Sequence, residues 1–136
     1  MSTHSQKSEP REANIAPWLA VRDAAEAADF YRAAFGAAEL YRLEDDDGKP
    51  VVVHLSVGGA DFWIQHDPDS SPEASDRGMV RMILTVKDPD SVFKKALAAG
   101  ATEVVPVNES HGWRIGRVVD PFGHHWEIGK PLGQDP

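Results

Sequence analysis

A chain of 136 residues has room for one compact domain with a sizeable core. Its 14 Lys+Arg against 22 Asp+Glu leave a net charge of -8, which excludes the concentrated positive face that a nucleic-acid backbone requires. Cysteine is absent, which excludes disulfides, thiolate zinc sites and a Cys nucleophile, and no apolar run reaches the ~18 residues of a membrane span.

Residues 1–14 contain almost nothing to bury and are expected to form a mobile tail. They lack the apolar stretch of a signal peptide, so a cytoplasmic location is expected. Ile15 to Val21 is short, apolar and ends at polar residues, the pattern of a strand. Asp23 stands where a helix N-cap belongs, its carboxylate able to accept the first unpaired N–H groups. Across Ala24–Phe35, the residues Ala27, Phe30, Tyr31 and Ala34 recur at helical spacing, and Gly36 suits a left-handed C-cap. Three strand-like runs follow, 38–43, 51–57 and 60–65, with turns at Gly48 and at Gly58-Gly59. The acidic run Glu44–Asp47 reads as a hairpin turn, because it lacks the alternating oxygen ligands of a calcium loop.

Residues 67–78 are rich in Pro, Ser and Asp and read as a linker. Beyond it the pattern begins again. Met79 to Val86 reads as a strand, Asp88 as an N-cap, and Pro89 is tolerated in the first helical turn. Val92, Phe93, Ala96 and Leu97 form the apolar stripe, which ends at Gly100. The runs 103–108, 113–119 and 124–129 complete the second half, with a turn at Pro121-Phe-Gly123. Leu19-Ala-Val-Arg-Asp23 matches Leu84-Thr-Val-Lys-Asp88, Gly36 matches Gly100, and Gly59 matches Gly123, each pair 64 or 65 residues apart. A duplicated βαβββ module explains this: module one spans 15–66, module two 79–130, and 131–136 is a loose C-terminus.

Leu19-Ala-Val-Arg-Asp-Ala-Ala-Glu-Ala-Ala-Asp-Phe-Tyr31, Phe35-Gly36-Ala37, and Val119-Asp-Pro-Phe-Gly-His124 with Trp126 together resemble the vicinal oxygen chelate superfamily. Its members include glyoxalase I, extradiol dioxygenases, and fosfomycin- and bleomycin-resistance proteins; the last stretch is similar to the PhnB-like branch. The resemblance covers about residues 15–130. It implies an α+β fold in which two tandem βαβββ modules form a curled mixed sheet around a cleft, and it implies a homodimer. In active members each module places one metal ligand on its first strand and one on its last. The resemblance puts these positions at Ala16, near Trp63, at Arg81 and at Glu127. Only Glu127 suits a divalent cation, whereas a catalytic metal wants about three protein ligands. The inherited metal site is therefore expected to be lost, and no cofactor is expected. Gln65 faces the same side as Trp63 and is the substitute if that register shifts.

A rearranged divalent-metal site stays open. His54 interrupts an apolar run and is expected to face inward with Ser56, while His125 and Glu127 alternate with the helix-facing Trp126 and Ile128. His54, His125 and Glu127 would form the ligand trio. His124 falls on the core or turn side, and His4, His66 and His111 read as solvated.

The same alternation gives the expected cleft-facing side chains: Trp18, His54, Trp63, Gln65, Arg81, Ile83, Thr85, His125 and Glu127, with Trp113 at the rim. Large apolar walls with a few polar groups describe a small-molecule pocket, although tryptophans filling the cleft is the alternative. Arg81 and Glu127 are expected to pair, so that neither is buried alone. Two functions compete. One is a module that binds or sequesters an aromatic or planar molecule. The other is an enzyme, either metal-dependent through the trio or metal-free, with Arg81 as electrophile and Glu127 or His125 as base. A dimer with a vestigial cleft is a third.

Overall fold

The computed structural model describes residues 14–71 and 80–133. Module one runs β1 (Trp18–Val21), α1 (Ala24–Phe35), β2 (Ala38–Glu44), β3 (Pro50–Val57) and β4 (Ala60–His66). Module two runs β5 (Arg81–Thr85), α2 (Pro89–Ala99), β6 (Thr102–Ser110), β7 (Trp113–Val119) and β8 (His125–Pro131). Each module folds into its own four-stranded sheet, in the orders β1-β4-β3-β2 and β5-β8-β7-β6. In each, the first strand lies parallel to the last and the remaining pairs are antiparallel. This is the α+β architecture of tandem βαβββ modules.

Local chemistry sets the element ends. The Asp23 carboxylate accepts from Glu26 N at 3.0 Å, and that of Asp88 from Ser91 N at 3.2 Å, so each helix starts on a capped N–H. Gly36 closes α1 with φ 72°, a conformation that costs other residues a steric clash. β1 begins at Trp18 rather than Ile15, behind Pro17, which has no N–H to donate. β8 begins one residue later than expected because His124 N donates to the Asp120 carboxylate instead of a ladder. It continues to Pro131, and Leu132 N then donates to Gly112 O at 2.7 Å. The expected tail up to residue 13, residues 72–79 of the linker and strand start, and residues 134–136 lie outside the described residues.

One face of each sheet packs against the helices. Val21, Val53, Leu55, Phe62 and Ile64 from sheet one join Val118, Trp126 and Ile128 from sheet two in a single buried cluster. Ala27, Phe30, Tyr31 and Ala34 of α1 and Phe93 and Ala96 of α2 complete it. At its centre lies a buried carboxylate. Asp120 Oδ2 accepts from Tyr31 Oη at 2.5 Å and from Trp126 Nε1 at 2.9 Å, while Oδ1 accepts from Phe122 N and His124 N, both at 2.9 Å. Four donors satisfy the charge that burial would otherwise penalise. Burial, then the Asp120 charge, push the Tyr31 phenol well above its ordinary pKa of 10.0.

Further bonds cross between modules. His124 Nε2 donates to Ala20 O at 2.8 Å, and Arg22 Nη1 donates to Pro121 O at 2.8 Å while lying over the Phe122 ring. The stretch 119–126 thus clamps module two to module one. His66 is not simply solvated, as the sequence suggests: its Nδ1 accepts from Ala24 N at 3.0 Å, adding a second cap to α1. Among the described residues, no helix is long and apolar enough to cross a membrane.

Candidate functional site

Among the described residues, no helix covers the opposite face of either sheet. On sheet one the strand register places Trp18 beside Trp63, Trp63 beside His54, and His54 beside Tyr41, a row that crosses all four strands. The His54 and Trp63 rings stack with centroids 4.0 Å apart and 2° between planes. Trp18 stacks on Trp63 at 5.9 Å, and Tyr41 meets it edge-on at 6.4 Å. Two polar contacts pin the row: Trp18 Nε1 donates to Gln65 Oε1 at 2.8 Å, and His54 Nε2 lies 3.2 Å from Asp61 Oδ2.

The corresponding row on sheet two is Ile83, Glu127, Arg117 and Val105. Its chemistry is ionic. Glu127 Oε2 pairs with Arg81 Nε at 3.3 Å. Arg117 Nε donates to His125 Nδ1 at 3.2 Å, which requires a lone pair on that nitrogen. Above this row opens a cup of about 510 Å³, lined by Ile83, Val105, Asn108, Ser110, His111, Trp113, Ile115, Gly116, Arg117 and Glu127. The two-residue turn His111-Gly112, with φ 53° and 82°, joins β6 to β7 and brings Ser110, His111 and Trp113 to the rim. A second cavity of about 510 Å³ follows the seam between β1 and β5, with Trp18 on one side and Arg81 and Ile83 on the other.

The residues expected to share one cleft therefore divide. Ile83, Trp113 and Glu127 line the cup, with Arg81 and His125 held against its charged residues. Trp18, His54, Trp63 and Gln65 gather on the other sheet and line none of it. Thr85 is exposed at the end of β5 and lies outside the lining. A single cleft with three tryptophans does not form within one chain, because the sheets meet through their helix-covered faces and do not pair. His111 is exposed, as expected, yet it also lines the cup.

Arg117 and Ile115 went unread although the signal was present: both alternate with Trp113 along β7. Val105, Asn108 and Ser110 could not be read in that way. Register shifts between Glu103 and Val105, and between Val105 and Asn108, break the alternation of β6.

The donor set does not fit a divalent metal. Of the four positions that the resemblance implies, Ala16, Trp63 and Arg81 offer no ligand, and Glu127 is held by Arg81. The alternative trio is not assembled: His54 belongs to sheet one, His125 and Glu127 to sheet two. Among the described residues, no three His, Cys, Asp or Glu side chains converge as a metal site.

Comparison with known proteins now bears on this geometry. The family model described as "Glyoxalase-like domain" matches residues 18–129, nearly the whole described fold. The chain belongs to the glyoxalase-like family. It is 40% identical over 129 residues to an uncharacterised protein of Mycobacterium bovis, covering 89% of this chain and 85% of that one. TioX from Micromonospora is similar in structure, with 26% identity and a TM-score of 0.68 over 91% of this chain and 100% of its own. A mutant of the fosfomycin resistance protein FosX from Listeria monocytogenes, crystallised with Mn(II) and a dihydroxypropylphosphonic acid, aligns with a TM-score of 0.70 at 16% identity. That alignment spans 91% of this chain and 94% of the other, and it shows a shared fold alone.

Proposed function

We propose that this glyoxalase-like protein binds a small planar molecule in the cup of its second module, without a metal, and holds it rather than transforming it. The lining carries the proposal. Ile83, Val105, Trp113 and Ile115 give apolar walls, and a few polar groups converge among them. The one carboxylate a metal would need is committed to a guanidinium. We propose further that the working unit is a homodimer. Trp18, Tyr41 and Ile83 are 54%, 50% and 63% exposed on sheet faces that no described element covers, and burying such a face against a second copy removes apolar area from water.

Glu127 favours a second reading, since it lines the cup within reach of a bound molecule. In that reading Arg81 polarises a ligand carbonyl and Glu127 takes a proton.

Titration of chelator-treated protein with planar aromatic compounds, followed by calorimetry and by product analysis, tests the proposal. Saturable binding that survives chelation, leaves the compound intact and weakens in Trp113→Ala supports it. Binding that requires an added divalent cation overturns the metal-free reading, and turnover lost in Glu127→Gln replaces holding with catalysis. Sedimentation equilibrium tests the dimer, and a monomer at micromolar concentration overturns it.

A further inference from the structure

The charges around the cup do not cancel. Two guanidiniums and one carboxylate stand side by side on sheet two. Glu127 is the cross-strand neighbour of Arg117, yet its ion pair, at 3.3 Å, is with Arg81. Arg117 gives Nε to His125 Nδ1, and among the described residues it makes no ion pair. That bond fixes the guanidinium plane and leaves the two terminal nitrogens without a hydrogen-bond partner among the described residues. The side chain is half-buried, so its charge is partly removed from water without a counter-charge among the described residues. Apart from Glu127, the polar lining groups among the described residues supply no anion: Asn108 Nδ2 donates to the carbonyls of Pro106 and Ile115, and Ser110 Oγ lies 3.3 Å from His111 Nδ1. With Glu127 paired to Arg81, Arg117 is left as a lining guanidinium with no ion pair among the described residues, in a chain whose net charge is -8.

We infer that the cup takes an aromatic acid, its carboxylate held by the terminal nitrogens of Arg117 and its ring against Trp113, Ile115 and Val105. The inference rests on the cup being the binding site, as proposed above. A guanidinium fork matches a planar carboxylate with two parallel N–H···O bonds. One positive charge that is uncompensated among the described residues matches a single negative charge, which favours a carboxylate over a dianionic phosphate ester.

Calorimetric titration with three probes that share a ring system and differ in charge tests this: naphthoate, naphthamide and naphthylmethylammonium. Naphthyl phosphate serves as the dianionic arm. The expected result is naphthoate bound about tenfold or more tightly than naphthamide, with the ammonium weakest and the phosphate weaker than naphthoate. In Arg117→Met the advantage of the acid over the amide collapses, while Arg117→Lys retains part of it. In the unaltered protein, raising the salt concentration weakens naphthoate and leaves naphthamide nearly unchanged, a readout that needs no variant. Amide bound as tightly as acid, or ammonium tightest, overturns the inference and leaves the cup as the binding site. Phosphate tightest overturns the choice of carboxylate. None of the four probes bound overturns the cup itself, and the inference with it.

Discussion

The outer faces of the two sheets hold equivalent places in two modules of the same βαβββ topology, and position by position they differ. Where sheet one carries Trp18, Trp63, His54 and Tyr41, sheet two carries Ile83, Glu127, Arg117 and Val105. The helix-facing positions are alike: Phe62 and Ile64 correspond to Trp126 and Ile128, and all four are buried. Packing against a helix accepts only apolar volume at those sites. The opposite face bears no such constraint, and one module carries a stacked aromatic ladder there and the other a row of charged side chains. One side of each sheet holds the fold, and the chemistry differs on the other.

The largest effect is expected where the two copies are joined. Asp120→Ala leaves Tyr31 Oη, Trp126 Nε1 and two backbone N–H groups without their acceptor, at a cost of about 3–5 kcal/mol by urea denaturation. A loss below about 1 kcal/mol would show that the modules hold together without this knot.

The same knot sets an alkaline limit. Below pH 10.0, the ordinary value for tyrosine, folded and unfolded chains both keep the Tyr31 proton, and its contribution is fully present. Above that value the unfolded chain releases the proton while the folded chain retains it, so stability falls as pH rises. Tyr31→Phe should remove this component of the alkaline slope in denaturation measured from pH 8 to 11; an unchanged slope would break the assignment.

A smaller effect is confined to module two. A Cβ on Gly129 would lie 2.7 Å from Arg114 O and from Ile115, so Gly129→Ala should cost about 1–3 kcal/mol by forcing β7 and β8 apart. The same variant should weaken probe binding to the cup while leaving the stacked rings of sheet one unchanged in near-ultraviolet circular dichroism. The smallest prediction concerns charge alone. Glu127→Gln frees Arg81 from its pair and should tighten naphthoate binding roughly threefold, the scale of a partly exposed ion pair. Weaker binding would break the assignment of naphthoate to the positive charge beside Glu127.

Much of the fold was legible because each signal is local. Asp23 and Asp88 announce helix starts, Gly36 an end, and the glycine turns bound the strands. Alternation along β8 correctly separates the outward His125 and Glu127 from the inward Trp126 and Ile128. The repeat also exposes its own equivalences. What it does not encode is how the two copies dock, and that decides whether Trp18 and Glu127 share a space. The Asp120 knot was illegible for the same reason: its partner Tyr31 lies on the other module and looks like an ordinary helix-stripe residue. The lining from β6 was hidden by bulges, which change facing without an obvious residue signature.

The four tryptophans sit in three unlike surroundings, and this makes the chain its own set of optical reporters. Trp126 is buried and bonded to a carboxylate, so its emission follows the joining of the modules. Trp63 has His54 on one face and Trp18 on the other, so no ligand ring can lie flat against it. It acts as a spacer whose coupling to Trp18 reports the folding of module one. Trp113 alone lines the cup, and a quench that depends on it can be attributed to occupancy without labelling the protein.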